Sequence, residues 1–220
     1  ALVGGRVLWR AKGDEFDVSI DRAEVAFERH DTGKAGELVL HGSADATGAY
    51  RSQGEKVIGS QFTLRVDADR TGTRAAADLW LDTGGSLRAA LDSDAPAGTT
   101  LPETGDFSVQ WSDIKPALLR PWLPGTVNID GELHGSAKGR LLTGKRLEVA
   151  GDAGFSQGSA RWQGSSGEAS AAIRSALLNF AWRGETLTGN LDLSLADYGQ
   201  AKGDFLLPIP ARLPVTPNPN

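Results

Sequence analysis

Residues 187–195, Leu-Thr-Gly-Asn-Leu-Asp-Leu-Ser-Leu, carry leucine or glycine at every second position. Because side chains of a β-strand point alternately to the two faces of a sheet, this stretch predicts a strand with one apolar and one polar face. Strands of a parallel sheet that is covered on both sides lack such alternation. The pattern therefore favours an antiparallel sheet.

The same alternation recurs along the whole chain and predicts an all-β fold. Turn-forming clusters such as Asp69–Gly72 and Thr83–Gly85 separate the alternating runs, as hairpin turns do. Many of the positions that the alternation assigns to the apolar face hold alanine or glycine, among them Gly42, Gly131 and Gly151. Glycine in a strand often occurs at a bend, so the composition suits a curled sheet better than a closed sandwich, although a thin sandwich could use the same alanines.

One segment departs from the alternation and predicts a short helix near residues 113–123. Ile114, Leu118 and Trp122 are spaced as on one helical face, Asp113 is placed to cap the first turn, and Pro116 lies within that turn. The prolines at 121 and 124 would end the helix.

We expect four parts in the chain. Residues 1–95 form an N-terminal β block, residues 96–105 a seam poor in bulky apolar side chains, and residues 106–207 a second β block that includes the short helix. Residues 208–220 hold five of the ten prolines, so strand pairing should stop by about Leu207 and the tail should be extended. The two blocks could belong to one continuous sheet.

Composition excludes several classes of function. The 220 residues include no cysteine, which rules out disulfides, thiolate metal sites and thiol nucleophiles. A net charge of −5 argues against a nucleic-acid surface, and no apolar run is long enough to span a membrane as a helix. Because the chain begins at Ala1 and contains no methionine, we expect it to be a piece of a longer protein.

Three apparent motifs have simpler interpretations. Gly139–Arg146 resembles a phosphate-binding loop, but arginine replaces the hydroxyl residue and a strand pattern follows, so we predict a hairpin loop. The acidic run Asp67–Asp78 is flanked by strand patterns and not by the helices of a calcium-binding hand, so we predict a plain acidic turn. His30, His41 and His134 have no second ligand at i+2 or i+4. We predict no metal, no cofactor and no enzymatic activity.

Two tryptophans leave a ligand-binding role open. Trp80 lies on the polar parity between Leu79 and Leu81, so its ring should face water unless something covers it. Core filling and strand propensity are the plainer explanation for tryptophan in this chain. Trp80 or Trp162 could otherwise serve as a platform on which a sugar ring stacks.

Three stretches of the second half resemble the repeat-like β-region of the TamB family, which belongs to the AsmA-like, bridge-forming lipid-transfer proteins. The first stretch is Leu118-Leu-Arg-Pro-Trp-Leu-Pro followed by Val127-Asn-Ile-Asp-Gly-Glu-Leu-His-Gly. The second runs from Arg146 to Trp162 and the third from Thr188 to Pro208. Together they cover about half of the chain, and the residues up to Ala95 share the strand style without a motif of their own.

The resemblance implies a taco-like sheet whose concave face is an open hydrophobic groove for phospholipid acyl chains. It also implies a periplasmic location in a Gram-negative bacterium, lipid transport between inner and outer membrane in support of outer-membrane assembly, and no catalytic residues. Partners implied are phospholipid, neighbouring β-segments of the full-length chain, and the outer-membrane protein TamA. The inner-membrane anchor and the TamA-docking end would lie outside this chain.

Bulky side chains on the apolar parity are the candidates for lining such a groove. They are Leu38, Leu40, Phe62, Leu64, Val66, Leu79, Leu81, Val109, Trp111, Val127, Ile129, Leu133, Leu147, Val149, Phe155, Ile173, Leu191, Leu193 and Leu195. The alternative is a β-sandwich interaction or adhesion module, in which the same side chains would form a packed core without a lipid ligand.

Overall fold

The computed structural model describes residues 2–11, 14–30, 37–52, 55–96, 102–116, 118, 126–164 and 167–212. Almost all of these residues belong to twelve β-strands. The strands are β1 (Leu2–Ala11), β2 (Asp14–His30), β3 (Glu37–Ser52), β4 (Glu55–Ala68), β5 (Thr73–Leu81), β6 (Ser86–Ser93), β7 (Gly105–Ile114), β8 (Val127–Leu142), β9 (Arg146–Gly164), β10 (Gly167–Arg183), β11 (Thr186–Leu195) and β12 (Gly199–Leu207).

The strands belong to one sheet and follow one another in it in chain order, from β1 to β12. Each strand whose register is known runs antiparallel to its neighbours, as in a meander built from successive hairpins. The prediction of an all-β chain with an antiparallel sheet is confirmed. β12 ends at Leu207, and beyond it Arg212 forms an isolated antiparallel bridge with Arg146.

The chain divides into two compact units. The first unit comprises Ala1–Val109 with Arg140–Gly144, and the second comprises Gln110–Gly139 with Lys145–Asn220. The predicted seam at residues 96–105 falls within the first unit, and residues 97–101 of it lie outside the described ranges.

The helix predicted near residues 113–123 is wrong for the residues that the structure describes. Asp113 and Ile114 are the last residues of β7, and only Pro116 and Leu118 have helical character, as a single 3₁₀ turn. The Leu118 amide donates to the Lys115 carbonyl at 3.0 Å. Asp113 has a φ of 56°, whereas a capping residue needs the extended region, and proline disfavours a helical residue before it. Residues 117 and 119–123 lie outside the described ranges.

The predicted curl of the sheet is also wrong. In each unit the strands form an open, uncurled sheet. The glycines that suggested bends have another role in the second unit, where they receive aromatic rings from adjacent strands. A Cβ built on Gly131 would lie 2.5 Å from Cζ of Phe155, and one built on Gly135 would lie 2.6 Å from Cζ2 of Trp111. Small residues therefore make room for rings lying on the sheet, as in aromatic rescue of strand glycines.

Burial in the sheet is shallow. Among the described residues, no side chain is completely buried. The buried apolar residues are few and mostly small: Ala46, Tyr50, Ala68, Ala95, Leu147, Phe155 and Ala211. This is the burial expected when one face of a sheet has no second layer packed against it.

Candidate functional site

The first unit carries an apolar face that register places on one side of β1 to β6. Residues directly opposite each other in adjacent strands share a face, so the partners can be followed from strand to strand. Phe16 pairs with Tyr50, Ala46 pairs with Phe62, and Phe62 pairs with Leu79. The apolar face of the first unit consists of Val7, Trp9, Phe16, Val18, Ile20, Val25, Phe27, Leu40, Ala44, Ala46, Tyr50, Phe62, Leu64, Val66, Ala75, Ala77, Leu79, Leu81, Leu87, Ala89 and Leu91.

Much of this face is open to solvent. Trp9 is 54% exposed and Phe27 is 62% exposed, although both point to the apolar side of the sheet. Trp9 packs on Phe16 with ring centroids 5.3 Å apart, and Phe16 stacks on Tyr50 at 4.6 Å. The rings thus bury one edge against each other while the outer surface stays uncovered. An exposed apolar surface of this extent is typical of a binding surface.

The second unit has an apolar face of the same kind. Trp182 pairs with Val149 and Leu187, and Leu178 pairs with Ala153 and Leu191. The members that register assigns are Leu147, Val149, Ala153, Phe155, Ala160, Trp162, Ile173, Ala176, Leu178, Phe180, Trp182, Leu187, Leu191, Leu193, Leu195, Ala201, Phe205 and Leu207.

Ring contacts extend this second apolar face to β7 and β8. Phe155 lies over Gly131 and Trp111 lies over Gly135, so both rings are on the side to which the odd-numbered residues of β8 point. That side includes Val127, Ile129 and Leu133. Phe155 and Leu147, each 8% exposed, are the best-covered bulky members of the face.

Register brings the predicted lining residues together within each unit. In the first unit, Leu40, Phe62, Leu64, Val66, Leu79 and Leu81 share the apolar face, Val109 is half-buried in β7, and Leu38 lies in β3 with its side chain outside the described set. In the second unit, Trp111, Val127, Ile129, Leu133, Leu147, Val149, Phe155, Ile173, Leu191, Leu193 and Leu195 share the apolar face. Among the predicted lining residues whose side chains are described, Leu64 and Leu191 are the exposed ones, at 36% and 40%.

Several residues of the apolar face were missed by sequence reasoning. Val7 and Trp9 belong to β1, whose alternation is interrupted at Gly4, a residue with a φ of 76°. Phe16, Val25 and Phe27 do follow the period-two alternation. The same rule applied to β2 would have included them among the lining residues. The alternating stretch of β1 was too short to distinguish a strand from a loop.

The opposite face is polar and carries cross-strand ion pairs. Arg6 donates to both carboxylate oxygens of Asp17 at 2.8 Å, and this contact lowers the pKa of the Asp17 carboxyl. Arg10 donates to Glu15 at 2.7 Å and lowers the pKa of that carboxyl in the same way. The arginine side chains of these pairs are 64% and 68% exposed, so water screens the charges and each pair contributes little to stability. The pairs identify this side of the sheet as its charged face.

The two sequence motifs that suggested ligand-binding loops are hairpin turns. β8 ends at Leu142 and β9 begins at Arg146, so Gly139–Arg146 is a hairpin, as predicted, with Lys145 exposed at a φ of 60°. Asp69 closes the turn between β4 and β5 by accepting hydrogen bonds from the Thr71 amide and hydroxyl and from the Gly72 amide. These bonds lower the pKa of the Asp69 carboxyl.

The histidines with described side chains lie on the polar face. The Nδ1 atom of His41 is 2.6 Å from a carboxylate oxygen of Asp67. His134 lies against Gly154 of the next strand. The side chain of His30 is outside the described set, and its backbone belongs to β2. Within the described ranges, His, Asp and Glu side chains nowhere gather in the threes that a metal ion would need.

A polar cleft of about 800 Å³ opens in the first unit where several strands end. Three pairs contribute much of its charged lining: His41 with Asp67 at 2.6 Å, Arg74 with Asp92 at 3.4 Å, and Arg140 with Asp106 at 3.2 Å. Asp69 and Asp94 line the cleft as well, so its carboxylates outnumber its two arginines and one histidine.

Comparison with known proteins supplies no family for the chain. No protein-family model matches the sequence, and neither the curated proteins nor the solved structures contain a match. In the part of the chain that the structure describes, no helix has the length and apolar character needed to cross a membrane. The candidate site is therefore defined by the two apolar faces alone.

Proposed function

We propose that this chain is a non-catalytic segment of a hydrophobic conduit that carries phospholipids between the inner and outer membranes of a Gram-negative bacterium. The observation that supports the proposal is the uncovered apolar face of each unit. A sheet in water that leaves Trp9, Phe27 and Leu191 exposed on its apolar side requires an apolar cover. Acyl chains are the cover that lets lipid move along the sheet.

The energetics of such a surface suit transport better than storage. Burial of each methylene group of an acyl chain is worth about 0.8 kcal/mol, and the interaction has no preferred direction. Rows of Leu, Val and Phe side chains, interrupted by alanine and glycine, offer many nearly equivalent positions to a chain. Lipid bound in this way can shift along the face without breaking any specific hydrogen bond.

The wider setting comes from the resemblance to the TamB family. In that setting the protein acts in the periplasm, neighbouring β-segments of a longer chain continue the apolar face, and the outer-membrane protein TamA is a partner through other regions. The role is support of outer-membrane assembly and homeostasis. A packed β-sandwich module is the alternative, and in it the apolar face would be covered by protein and not by lipid.

Leu191→Asp tests the proposal in the second unit. Leu191 is on the apolar face and 40% exposed, so the carboxylate stays partly hydrated, and we expect the variant to remain folded at a cost of about 1–2 kcal/mol. An unpaired charge against hydrocarbon costs several kcal/mol, so binding of a photo-crosslinkable phospholipid to the variant should be lost. Urea unfolding and crosslinking yield are the two measurements.

The matched control is Asn190→Asp, one residue earlier in β11. Asn190 is exposed on the polar face, where Asn179 donates to its side-chain oxygen at 3.1 Å, and aspartate preserves that acceptor. The control adds the same charge to the same strand and should bind lipid normally. Unfolding of Leu191→Asp would favour the sandwich alternative. A folded Leu191→Asp protein that crosslinks lipid as well as the control would refute a lipid-binding role for this face.

A further inference from the structure

Trp80 is an exposed aromatic residue on the side of the first unit that faces away from the apolar surface. It lies in β5 between two residues of the apolar face, and 45% of it is exposed. Gln61 pairs with it on one side and Ser86 on the other. Trp80 therefore does not contribute to the apolar face, and packing within the sheet leaves much of its ring uncovered.

Register places Trp80 in a row of uncharged polar side chains that crosses five neighbouring strands. Ser19 of β2 pairs with Thr47 of β3, Thr47 with Gln61 of β4, Gln61 with Trp80, and Trp80 with Ser86 of β6. We call these residues the polar row. Strands lie about 4.8 Å apart, so the row is roughly 19 Å long. The hydroxyl groups of Ser19 and Thr47 and the amide group of Gln61 can both donate and accept hydrogen bonds, beside one aromatic ring.

The charged groups on either side of Trp80 are engaged with protein partners. Arg88 donates to Asp78 at 2.6 Å, and the carboxylate of Asp82 accepts from the Gly59 amide at 3.0 Å. A charged ligand would have to displace these contacts. A neutral ligand rich in hydroxyl groups would not have to displace them. Its hydroxyl groups could form hydrogen bonds with the polar row and with the charged side chains beside it.

We propose that the polar row is a binding site for a linear oligosaccharide of β-1,4-linked pyranose sugars. One sugar ring stacks with its axial C–H groups on the face of Trp80, since the indole ring combines apolar area with a negative π-face. Hydroxyl groups of the next rings exchange hydrogen bonds with Gln61 and Thr47. β-1,4-Linked pyranoses form extended ribbons that can follow a straight row, whereas α-1,4-linked glucose chains coil. The row is about as long as a few sugar units.

A protein partner fits the polar row less well. Protein interfaces have a desolvated core in which several apolar or aromatic residues pack together, with polar residues at the rim. Around Trp80 the partners in adjacent strands are Gln61 and Ser86, and the nearest side chains on the same side of β5 and β4 are those of Asp78 and Thr63. The single ring within hydrogen-bonding side chains is the arrangement that suits a sugar.

The experiment titrates the full chain with cellohexaose, chitohexaose and maltohexaose by isothermal calorimetry. We expect one of the two β-linked hexaoses to bind, which identifies plain or N-acetylated sugars as the ligand, and the α-linked maltohexaose to bind more weakly. Trp80→Ala should weaken binding about tenfold or more, and Gln61→Ala should weaken it less. Tyr198→Ala, which removes an aromatic residue 73% exposed in the turn between β11 and β12, should have no effect.

Circular dichroism verifies that each variant is folded. If Trp80→Ala does not fold, the affinity of Gln61→Ala is compared with that of the wild type instead. Absence of heat with all three hexaoses at millimolar concentration would overturn the proposal. Equal binding by the wild type and the folded variants of the row would overturn it too. If the wild type binds no sugar and Trp80→Ala loses self-association, the polar row is a contact between copies of the chain and the proposal is overturned.

Discussion

Gly131 shows how a single residue decides the packing of the apolar face. The Phe155 ring lies where a side chain at 131 would be, and the backbone of Gly131 has a φ of 141°, which residues with a Cβ rarely adopt. Phe155 is one of the two best-covered bulky residues of the second unit. The ring is covered because its neighbour has no side chain.

Gly131→Val should therefore destabilise the protein by about 2 kcal/mol or more, because the new side chain displaces the Phe155 ring and strains the backbone. The matched control is Gly203→Val in β12. Gly203 is on the same apolar face, opposite Leu191, and a Cβ added there meets no atom within 4 Å. We expect the control to change stability by less than about 0.5 kcal/mol. Urea unfolding of both variants is the measurement, and equal losses would contradict a special role for the ring.

At the scale of elements, the segment that follows β12 has contacts that its proline content did not predict. The indole Nε1 of Trp182 donates to the Ile209 carbonyl at 2.8 Å, and the Ala211 amide donates to the Gly184 carbonyl at 2.7 Å. The Leu147 amide donates to the Ala211 carbonyl at 2.8 Å, and Ala211 is only 2% exposed. Residues 208–212 thus run from β12 back to the ends of β10 and β9.

A chain that ends at Leu207 should lose about 3 kcal/mol of stability, since three hydrogen bonds worth about 1 kcal/mol each disappear. Loss of cover over Leu147 and Trp182 adds to this cost. A chain that ends at Pro214 keeps all three bonds and is the control, with an expected change in melting temperature close to zero. Thermal unfolding followed by circular dichroism compares the two. If both truncations are neutral, the contacts of Ile209 and Ala211 contribute nothing to stability.

At the scale of the whole molecule, the sheet has two outermost strands. In the part of the chain that the structure describes, β1 pairs with β2 alone and β12 with β11 alone. An unpaired strand edge exposes N–H and C=O groups that can pair with another chain. Leu206 adds an apolar side chain, 65% exposed, to the polar side of β12.

We expect this chain to self-associate as its concentration rises, with sedimentation velocity as the measurement. Leu206→Lys should weaken the association, because a charge on an edge strand opposes pairing with a second copy. Leu177→Lys is the matched control, since Leu177 is a 45% exposed leucine on the polar side of β10, a strand that is paired on both sides. A wild-type protein that stays monomeric at high concentration would contradict the prediction.

Local pattern was enough to predict the strands, their antiparallel pairing and the face on which most lining residues lie. Alternation is a property of each strand alone, because the pleat turns successive side chains to opposite sides whatever the strand pairs with. Leu191, Leu193 and Leu195 are together on the apolar face for this reason, and Trp80 is on the polar face for the same one. The turn at Asp69 was likewise predicted from the local sequence.

Only the tertiary structure decided which residues meet across strands. A glycine at position 131 is compatible either with a bend in the strand or with an aromatic ring that packs over it. The position of Phe155 in the next strand shows that the glycine accommodates a ring, so the expected curl of the sheet was wrong. Asp113 had the residue type of a helix cap, but β7 extends through it and leaves it with a positive φ. The alignment of Ser19, Thr47, Gln61 and Trp80, and the return of Ala211 to Leu147, likewise depend on register between distant segments. Period-two alternation carries no information about register beyond the parity of each strand.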